Sequence, residues 1–332
     1  MKLVLLGTGM IVKEVLPVLK DIDGIELEAI LSTPRSLDTA RELASTYAIP
    51  QATSDYDEVL INPAVDTIYI GLPNHLHYDY AKKALSAGKH VICEKPFTLR
   101  LAELEDLITI AEQRGLFLLE AITNQYLENF TYIKDNLDQL GDIKIVNCQY
   151  AQYSSRYDAF KRGDIAPAFD PAQGGGALRD LNIYNIHLLV GLFGQPKRVD
   201  YLPNMERGVD TSGILMMDYG RFKAVCIGAK DCSAEIRSSI QGNQGSIAVL
   251  GATNTMPQVS LTLNGQEPVI INHNSDNHRM YAEFVAFEQI LSQNQKAKAK
   301  AALEHSLSVM AVLEAALESM EKTAVGEGSN ND

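Results

Sequence analysis

Apolar strands and amphipathic helices alternate through the first part of the chain. Runs of consecutive apolar residues, typical of strands that helices cover on both faces, are each followed by apolar positions at helical spacing. We predict strands at 2–7, 25–32, 67–72, 90–95 and 116–120, a shorter one near Gln51 and Ala52, and helices at 10–20, 36–47, 76–88 and 101–114. This alternation predicts an α/β domain with a doubly wound, mostly parallel sheet over residues 1–121.

The pattern changes after residue 121, where strands follow one another through short connections. We predict strands at 143–153, 197–202, 211–219, 221–229, 235–241, 245–250, 258–263 and 268–272. Because no crossover helices separate most of these strands, residues 122–322 are predicted to form an α+β domain with a large, open and mostly antiparallel sheet. Helices are predicted at 177–193, 278–293 and 303–322, and the polar tail 323–332 is predicted to be disordered.

Composition and charge exclude several classes of protein. The 332 residues are 46% hydrophobic, which indicates a folded chain, and the length favours two domains. A net charge of −13 argues against nucleic acid as a partner, because phosphate binding requires clustered Lys and Arg. We find no apolar run of membrane-spanning length, and Met1-Lys2 leads directly into a strand rather than a signal peptide. The four cysteines lack C-x-x-C spacing and indicate reduced thiols in a cytoplasmic protein.

The first strand ends in a glycine-rich turn that suits a dinucleotide phosphate. Gly7 permits a tight turn, and Gly9 lets the backbone approach a pyrophosphate because no Cβ intervenes. The helix that starts at Met10 and Ile11 offers unpaired N–H groups and a positive dipole end to the anion. Val12 stands where this motif usually has a third small residue, so a purely structural turn is the alternative. We favour a Rossmann dinucleotide-binding domain.

The end of the second strand bears on the choice between NAD and NADP. An NAD-specific site usually carries an acid there, which accepts a hydrogen bond from the ribose 2′-hydroxyl. This chain has Ser32, Thr33 and Arg35 instead, and their hydroxyls and guanidinium favour a 2′-phosphate. We predict NADP as the cofactor without excluding NAD; the alternative is an ordinary turn that caps the next helix.

Polar residues also follow two further strands of the predicted parallel sheet. They are Pro73, Asn74 and His77 after the strand at 67–72, and Glu94 and Lys95 at the end of the strand at 90–95. The carboxyl ends of parallel strands open onto one crevice, so these residues are candidates for cofactor contacts and, at Lys95, for proton transfer. His75 and His77 have no third ligand at a recognisable spacing, so we predict no metal site.

A third candidate segment lies on the helix predicted at 177–193. Asp180, Tyr184 and His187 fall at positions i, i+4 and i+7, which share one face of an α-helix. A carboxylate can orient a phenol, and a nearby lysine can lower the pKa of a phenol toward useful proton transfer. Taken alone, the segment fits a polar helix face with a capping aspartate; together with Lys95, it favours a catalytic group.

These motifs together resemble those of the glucose–fructose oxidoreductase, inositol dehydrogenase and MocA family (GFO/IDH/MocA). The resemblance rests on the opening G-x-G, on L-P-N-H-L-H ending at His77, on A-G-K-H-V-I-C-E-K-P ending at Pro96, and on G-G-A-L-R-D-L-N-I-Y-N-I-H ending at His187. It extends from Lys2 to about Met320, and the E-K-P segment is its most specific part. It implies a catalytic lysine at Lys95, a site acid at Asp180 and dimers formed through the C-terminal sheet. It also implies an NAD(P) site at Gly7, Gly9, Ile11, Ser32, Arg35, Asn74, His77 and Glu94.

Tyr184 departs from one branch of this family. The inositol dehydrogenase branch has histidine at the matching position, whereas a tyrosine there is similar to the dihydrodiol and aldose dehydrogenase branch. The resemblance therefore implies that the chain is closest to the second branch. It weakens the case for inositol as substrate.

The residues and the resemblance together predict an oxidoreductase that moves a hydride between nicotinamide and a carbinol or hemiacetal carbon of a sugar, polyol or related small compound. Lys95 and Tyr184 would exchange the hydroxyl proton, Asp180 would hold them, and His187 would add hydrogen bonds. Further substrate contacts are expected from 122–175, with Arg156 as a candidate. The alternatives are a non-catalytic NAD(P)-sensing regulator on the same fold and an enzyme that recycles a tightly held cofactor.

The predicted C-terminal sheet also bears on assembly. Too few helices follow its strands to cover both faces, so one face is expected to expose a large apolar patch. We predict a homodimer or a dimer of dimers packed through this sheet.

Overall fold

The computed structural model describes residues 1–328 and divides the chain into two compact units. The first contains residues 1–122 and 278–307, and the second contains residues 123–277 together with the described residues from 308 onward. No helix in the described part of the chain is both long and apolar enough to cross a membrane.

A six-stranded parallel sheet forms the centre of the first unit, in the order β3-β2-β1-β4-β5-β6. Its elements are β1 (Lys2–Leu6), α1 (Met10–Lys20), β2 (Glu26–Leu31), α2 (Leu37–Tyr47), β3 (Gln51–Thr53), α3 (Tyr56–Ile61), β4 (Thr67–Ile70), α4 (His77–Ser86), β5 (His90–Glu94), α5 (Leu101–Arg114) and β6 (Leu118–Ala121). The two central strands are buried along almost their whole length, because helices cover both faces. This confirms the predicted doubly wound α/β domain.

An eight-stranded sheet forms the centre of the second unit, in the order β14-β13-β12-β11-β7-β10-β9-β8. Its strands are β7 (Ile143–Ala151), β8 (Arg198–Glu206), β9 (Val209–Asp218), β10 (Lys223–Ala229), β11 (Arg237–Gly242), β12 (Gly245–Leu250), β13 (Val259–Leu263) and β14 (Val269–Ile271). All neighbouring strands are antiparallel except β7 and β10, which confirms the predicted sheet. The unit also contains α6 (Glu128–Asn136), α7 (Tyr157–Lys161) and α8 (Ile183–Phe193).

Two helices near the end of the chain differ from the prediction. We expected the segment after 277 to belong to the second domain, but residues 278–307 group with the first unit. Phe284 on α9 (Tyr281–Ser292) packs edge-on against Tyr69 of β4, and Arg279 pairs with Glu14 of α1 at 2.7 Å. These apolar and ionic contacts join sequence-distant segments, and helical periodicity does not encode them.

The last helix, α10, is also longer than predicted. It runs from Lys296 to Gly328, whereas we predicted 303–322 followed by a disordered tail. The alternating Ala and Lys residues that open it are strong helix formers, which explains the earlier start. Residues 329–332 of the predicted tail lie outside the described residues.

Candidate active site

The glycine-rich turn between β1 and α1 has the geometry that the sequence predicts. Gly7 has φ +108°, and its N–H donates to the carbonyl oxygen of Leu31 at 2.8 Å. A Cβ on Gly7 would lie 2.7 Å from the carbonyl oxygen of Gly71, so only glycine fits there. A Cβ on Gly9 would meet nothing within 4 Å, and Gly9 caps α1 without a side-chain hydrogen bond. The first N–H groups of α1 therefore border open space, which suits a pyrophosphate.

Gly71 explains why Val12 replaces the usual third small residue of the motif. Val12 is fully buried, and a Cβ on Gly71 would lie 2.8 Å from its Cγ2 and 3.3 Å from Cγ2 of Ile11. The glycine that permits close helix–strand packing thus lies after β4 instead of on α1. The departure from the motif leaves the turn intact.

The end of β2 presents hydroxyls and a cation. The backbone N–H of Ser32 donates to Thr53 at 3.0 Å, and the hydroxyls of Thr33 and Ser36 are 2.9 Å apart. Arg35 is exposed, and among the described side chains, those of residues 1–322, we find no ion pair for its guanidinium. These features fit an anion such as a 2′-phosphate.

His77 links the segments that follow β4 and β5. Its side chain is fully buried, with Nδ1 3.0 Å from the carbonyl oxygen of Pro96 and Nε2 2.8 Å from that of Leu72. Burial lowers the pKa of this imidazole, and the carbonyl contacts oppose that shift in part. A contribution of His77 to cofactor binding would therefore act through these two segments, close to Pro73 and Asn74.

The surroundings of the two histidines bear on their availability as metal ligands. Both of its ring nitrogens face backbone carbonyls, while His75 is exposed. Among the described side chains, those of residues 1–322, we find no group of three or more His, Cys, Asp or Glu residues arranged to hold a metal ion.

Glu94 and Lys95 lie at the carboxyl end of β5, as predicted. Glu94 is buried and accepts a hydrogen bond from the Tyr69 hydroxyl at 2.7 Å. Burial raises the pKa of the Glu94 carboxyl, while the Tyr69 hydrogen bond and the charge of Lys95 oppose this shift. Lys95 is partly exposed and precedes Pro96 through a cis peptide bond.

A second buried carboxyl adjoins Glu94, and sequence reasoning missed it. Glu283 of α9 is 1% exposed, and among the described residues neither of its carboxyl oxygens has a hydrogen-bond partner. Burial, followed by the charge of Glu94, raises the pKa of Glu283 well above its ordinary value. The sequence carries only a weak signal for this group, an acid on the apolar face of a helix.

Asp180 lies on a π-helical turn rather than on a regular α-helix. Residues Leu178–Asn182 form this turn, and α8 follows from Ile183. The i, i+4, i+7 argument assumed an α-helix throughout, so it is wrong for the geometry at Asp180. Insertions of this kind are frequent at functional sites. The Asp180 carboxylate lies 2.8 Å from the ammonium of Lys230, a residue that the sequence analysis did not identify.

Close backbone packing fixes the start of this π-helical turn. Gly176 has φ +124°, and a Cβ there would collide with the Asp210 carboxylate. That carboxylate accepts hydrogen bonds at 2.7 Å from the Leu178 N–H and from the Tyr201 hydroxyl. Gly176 is therefore needed for packing, which the sequence alone did not reveal.

Tyr184 and His187 lie on α8 and are less accessible than Asp180. Tyr184 is 8% exposed, and His187 is fully buried. Their backbone carbonyls accept hydrogen bonds from Asn124 at 2.9 Å and from Gln125 at 3.0 Å. These amides hold the helix that carries the candidate phenol. The burial of His187 favours a supporting role over direct contact with a substrate.

Arg156 stands at the start of α7 in the second unit. Arg156 is partly exposed, and its backbone N–H donates to the Ser154 hydroxyl at 3.3 Å. Tyr157 follows and donates to Glu206 at 2.7 Å, which anchors the short helix to β8. The assignment of Arg156 to substrate binding stays a prediction.

Comparisons with known proteins identify the family. Residues 1–121 match an oxidoreductase family with an NAD-binding Rossmann fold, GFO/IDH/MocA, and residues 134–248 match a C-terminal domain of the same family. The chain is 32% identical to scyllo-inositol 2-dehydrogenase (NADP⁺) IolU of Bacillus subtilis strain 168 over 319 residues, which cover 95% of this chain and 96% of that enzyme. The chain belongs to the GFO/IDH/MocA family.

Several other enzymes are also similar to this chain. It is 28% identical to human trans-1,2-dihydrobenzene-1,2-diol dehydrogenase over 255 residues, covering 74% of this chain and 73% of that enzyme. A 3-ketoreductase from Actinomadura kijaniata, solved with NADP and TDP-benzene, shares the fold with TM-score 0.82 and 23% identity over 96% of this chain and 97% of that chain. An aldose–aldose oxidoreductase from Caulobacter crescentus has TM-score 0.82 and 20% identity over 97% and 98% of the two chains. These two structures support the fold alone.

The family membership has two consequences for the sequence analysis. It confirms that the chain is an NAD(P)-dependent oxidoreductase, which disfavours the non-catalytic regulator. The similarity extends to an inositol dehydrogenase as well as to dihydrodiol dehydrogenases. Tyr184 alone is therefore a poor guide to the substrate.

Proposed function

We propose that this enzyme transfers a hydride between NADP(H) and a carbinol or hemiacetal carbon of a sugar or cyclic polyol. The observation that carries this proposal is the whole-length similarity to an NADP⁺-dependent inositol dehydrogenase. The similarity to dihydrodiol dehydrogenases also favours a substrate with a secondary hydroxyl on the ring of a small molecule.

The glycine-rich turn and the end of β2 would hold the cofactor. Gly7, Gly9 and the N-terminus of α1 suit the pyrophosphate, and Arg35 suits the 2′-phosphate. When bound, the nicotinamide accepts or supplies the hydride. The protein supplies the position of the reacting carbon and the path of the hydroxyl proton.

Lys95, Tyr184 and Asp180 would carry out the transfer of that proton. In the oxidation direction, Tyr184 or Lys95 accepts the substrate hydroxyl proton as the hydride leaves the same carbon, and the reduction direction reverses this transfer. Asp180, which precedes Tyr184 by one helical turn in the second unit, would orient the Tyr184 phenol. Arg156 is assigned to the substrate, and the buried His187 to the support of this group.

The cofactor preference follows from the charges at the end of β2. Replacing Ser32 with Asp would place a carboxylate where a 2′-phosphate would lie, so NADP(H) affinity should fall while NAD(H) affinity rises. Isothermal titration of the native and Ser32→Asp enzymes with all four cofactors measures this. Equal dissociation constants for NADP⁺ and NAD⁺ in the native enzyme would refute the preference.

A substrate screen tests the reaction itself. Purified enzyme with NADP⁺ or NADPH would be assayed against inositols, aldoses, other cyclic polyols and the corresponding ketones, following absorbance at the nicotinamide band. Turnover of one ring-hydroxyl class is expected. An enzyme that binds NADPH but oxidises or reduces no member of the panel would contradict the proposed substrate class.

The exposed face of the second unit's sheet supports a proposed homodimer. Apolar side chains alternate along its strands, and on one face Ile145, Leu202, Ile214 and Met216 remain between 42% and 49% exposed. Leu202 is the cross-strand partner of Ile214, so these side chains form a continuous patch. A second copy of the chain, packed face to face, would bury this patch.

A further inference from the structure

Lys230 is a buried cation outside the residues assigned so far. It lies immediately after β10 and is 2% exposed. Its ammonium lies 2.8 Å from Oδ2 of Asp180 and also donates a hydrogen bond to the carbonyl oxygen of Ala168. The ring of Phe169 covers it, with 4.2 Å between Nζ and the ring centroid. The charge is thus removed from water and paired on several sides.

The backbone around Lys230 is fixed independently of Asp180. Its N–H donates to the carbonyl oxygen of Thr211, and its own carbonyl accepts from the Ser154 N–H, both at 2.8 Å. The next residue, Asp231, accepts 2.8 Å hydrogen bonds from the hydroxyls of Thr211 and Ser212. The backbone that carries Lys230 is therefore held by hydrogen bonds that do not involve Asp180.

The two members of this ion pair differ strongly in exposure. The Lys230 side chain is 3% exposed, whereas that of Asp180 is 36% exposed. The pair between Lys223 and Asp218, which involves the same strand and the same 2.8 Å distance, has both side chains well exposed. Exposed pairs such as the second contribute little, because water screens them. In the pair between Lys230 and Asp180, by contrast, the lysine is buried and the carboxylate is accessible to solvent.

We infer that Lys230 is a positioning residue for the reaction, which orients the Asp180 carboxylate and keeps it ionised. This inference rests on the proposed function, because it acts through the role given to Asp180. A lysine that only braced the fold would stabilise the second unit without affecting kcat or how the reaction depends on pH.

A double-mutant cycle on turnover tests the inference. Lys230→Met keeps most of the apolar stem and removes the charge, so kcat should fall by about ten- to a hundredfold, as when other orienting partners are removed. Cofactor affinity should not change. If Lys230 acts through Asp180, Lys230→Met should cost little further activity in an Asp180→Asn background. Multiplicative losses, or a Lys230→Met enzyme with native kcat, would overturn the inference.

The pH–rate profile separates positioning from bracing. Without the ammonium, Asp180 should accept a proton more readily, so the acid limb of the profile should move toward neutral pH by about one unit or more. Lys223→Met is the matched control and should leave both kcat and the profile unchanged. Lys230→Gln loses the charge but keeps a donor for Ala168, so it supplies the same comparison if Lys230→Met does not fold. An unmoved acid limb in a folded variant would contradict the inference.

A titration that needs no substrate distinguishes this inference from the proposed function. In enzyme labelled with ¹³C at the aspartate carboxyls, the signal that Asp180→Asn removes belongs to Asp180. Its titration midpoint should rise in Lys230→Met and stay constant in Lys223→Met; an unchanged midpoint in Lys230→Met overturns the inference whether or not a substrate is known. If the midpoint rises but Asp180→Asn retains native turnover, the proposed role of Asp180 fails while the coupling to Lys230 stands.

Discussion

Two lysines near opposite ends of β5 allow the role of Lys95 to be tested against a structural one. Lys95 follows the carboxyl end of the strand and is partly exposed. Replacing it with Met should leave NADPH affinity within a fewfold and reduce kcat by about 10²–10⁴-fold, because a positioned proton-transfer group is lost. Kinetics and thermal unfolding of the same preparation measure both effects.

Lys89 is the matched control for Lys95. It is buried just before β5, and its ammonium donates to the carbonyl oxygens of Asn62 and Val65 at 2.8 and 2.7 Å. Lys89→Met should lower the free energy of unfolding by about 1–3 kcal/mol, since two carbonyls lose their donor, and leave kcat per folded molecule unchanged. A Lys95→Met enzyme that behaves in this way, destabilised but fully active, would end the catalytic assignment.

Glu283 predicts how stability depends on pH. Its folded-state pKa is raised well above the ordinary value by burial and by Glu94, so between these two values the folded state holds a proton that the unfolded state has lost. Stability from this group is complete at low pH and declines as pH rises toward the folded pKa. Glu283→Gln should therefore gain stability relative to the native enzyme by up to about 1.4 kcal/mol per pH unit above pH 5.

Urea unfolding at several pH values measures this effect of Glu283. The exposed Glu42 provides the control, because Glu42→Gln should follow the native curve at every pH. A native-minus-variant difference for Glu283→Gln that stays constant from pH 5 to pH 8 would refute the assignment of a buried, protonated carboxyl.

Single residues could be predicted where a motif places them next to a strand end. Gly7, Glu94 and Lys95 were identified because each adjoins a recognisable apolar strand, and the structure places them at the expected ends of β1 and β5. Lys230 and Glu283 could not be predicted. The environment of each side chain depends on a partner on a sequence-distant element. In a sequence, an isolated Lys or Glu cannot be distinguished from a solvent-exposed residue.

Packing between α1 and the end of β4 gives a prediction about how secondary-structure elements stabilise the fold. Gly71→Ala would place a methyl group 2.8 Å from Cγ2 of Val12, in a fully buried contact. Overpacking of this kind should lower the free energy of unfolding by about 1–3 kcal/mol. Val12→Ala in the same chain removes the clashing atom and should recover most of the loss, which chemical denaturation of the single and double variants measures.

Gly9→Ala separates packing from cofactor binding in the same region. A Cβ on Gly9 meets nothing within 4 Å, so this variant should keep native stability. It should nevertheless weaken NADP(H) binding, because the methyl group enters the space assigned to the pyrophosphate. A Gly71→Ala enzyme of native stability, or a Gly9→Ala enzyme of native NADPH affinity, would contradict the corresponding assignment.

Periodicity predicted the longest elements and missed several shorter or irregular ones, among them α6 and α7. The helix α5 begins and ends where the sequence predicts, at Leu101 and Arg114. The six-residue α3 was missed because it is too short to show a helical period, although Asp55 caps it by accepting from the Glu58 N–H at 3.1 Å. The π-helical turn was missed because Asp210 and the close contacts of Gly176, not local spacing, determine it.

At the scale of the whole molecule, the sequence predicted both sheets but not which helices accompany them. Residues 278–307 return to the first unit through the contact of Phe284 with Tyr69 and the pairing of Arg279 with Glu14. Hydrophobic patterns show that a helix has an apolar face, but not which sheet that face covers. The order of segments along the chain therefore did not show which segments make up each unit.

The exposed sheet of the second unit carries the prediction about assembly. Ile214 lies near the middle of the apolar patch and is 42% exposed. If a second copy covers this patch, Ile214→Glu would bury an unpaired carboxylate at the interface, so the variant should sediment as a monomer of 36.5 kDa at micromolar concentration while the native enzyme sediments at twice that mass or more. Ile61→Glu alters an equally apolar residue that is 80% exposed on α3 and should leave the assembly unchanged. A native enzyme that is already monomeric under these conditions would refute the proposed interface.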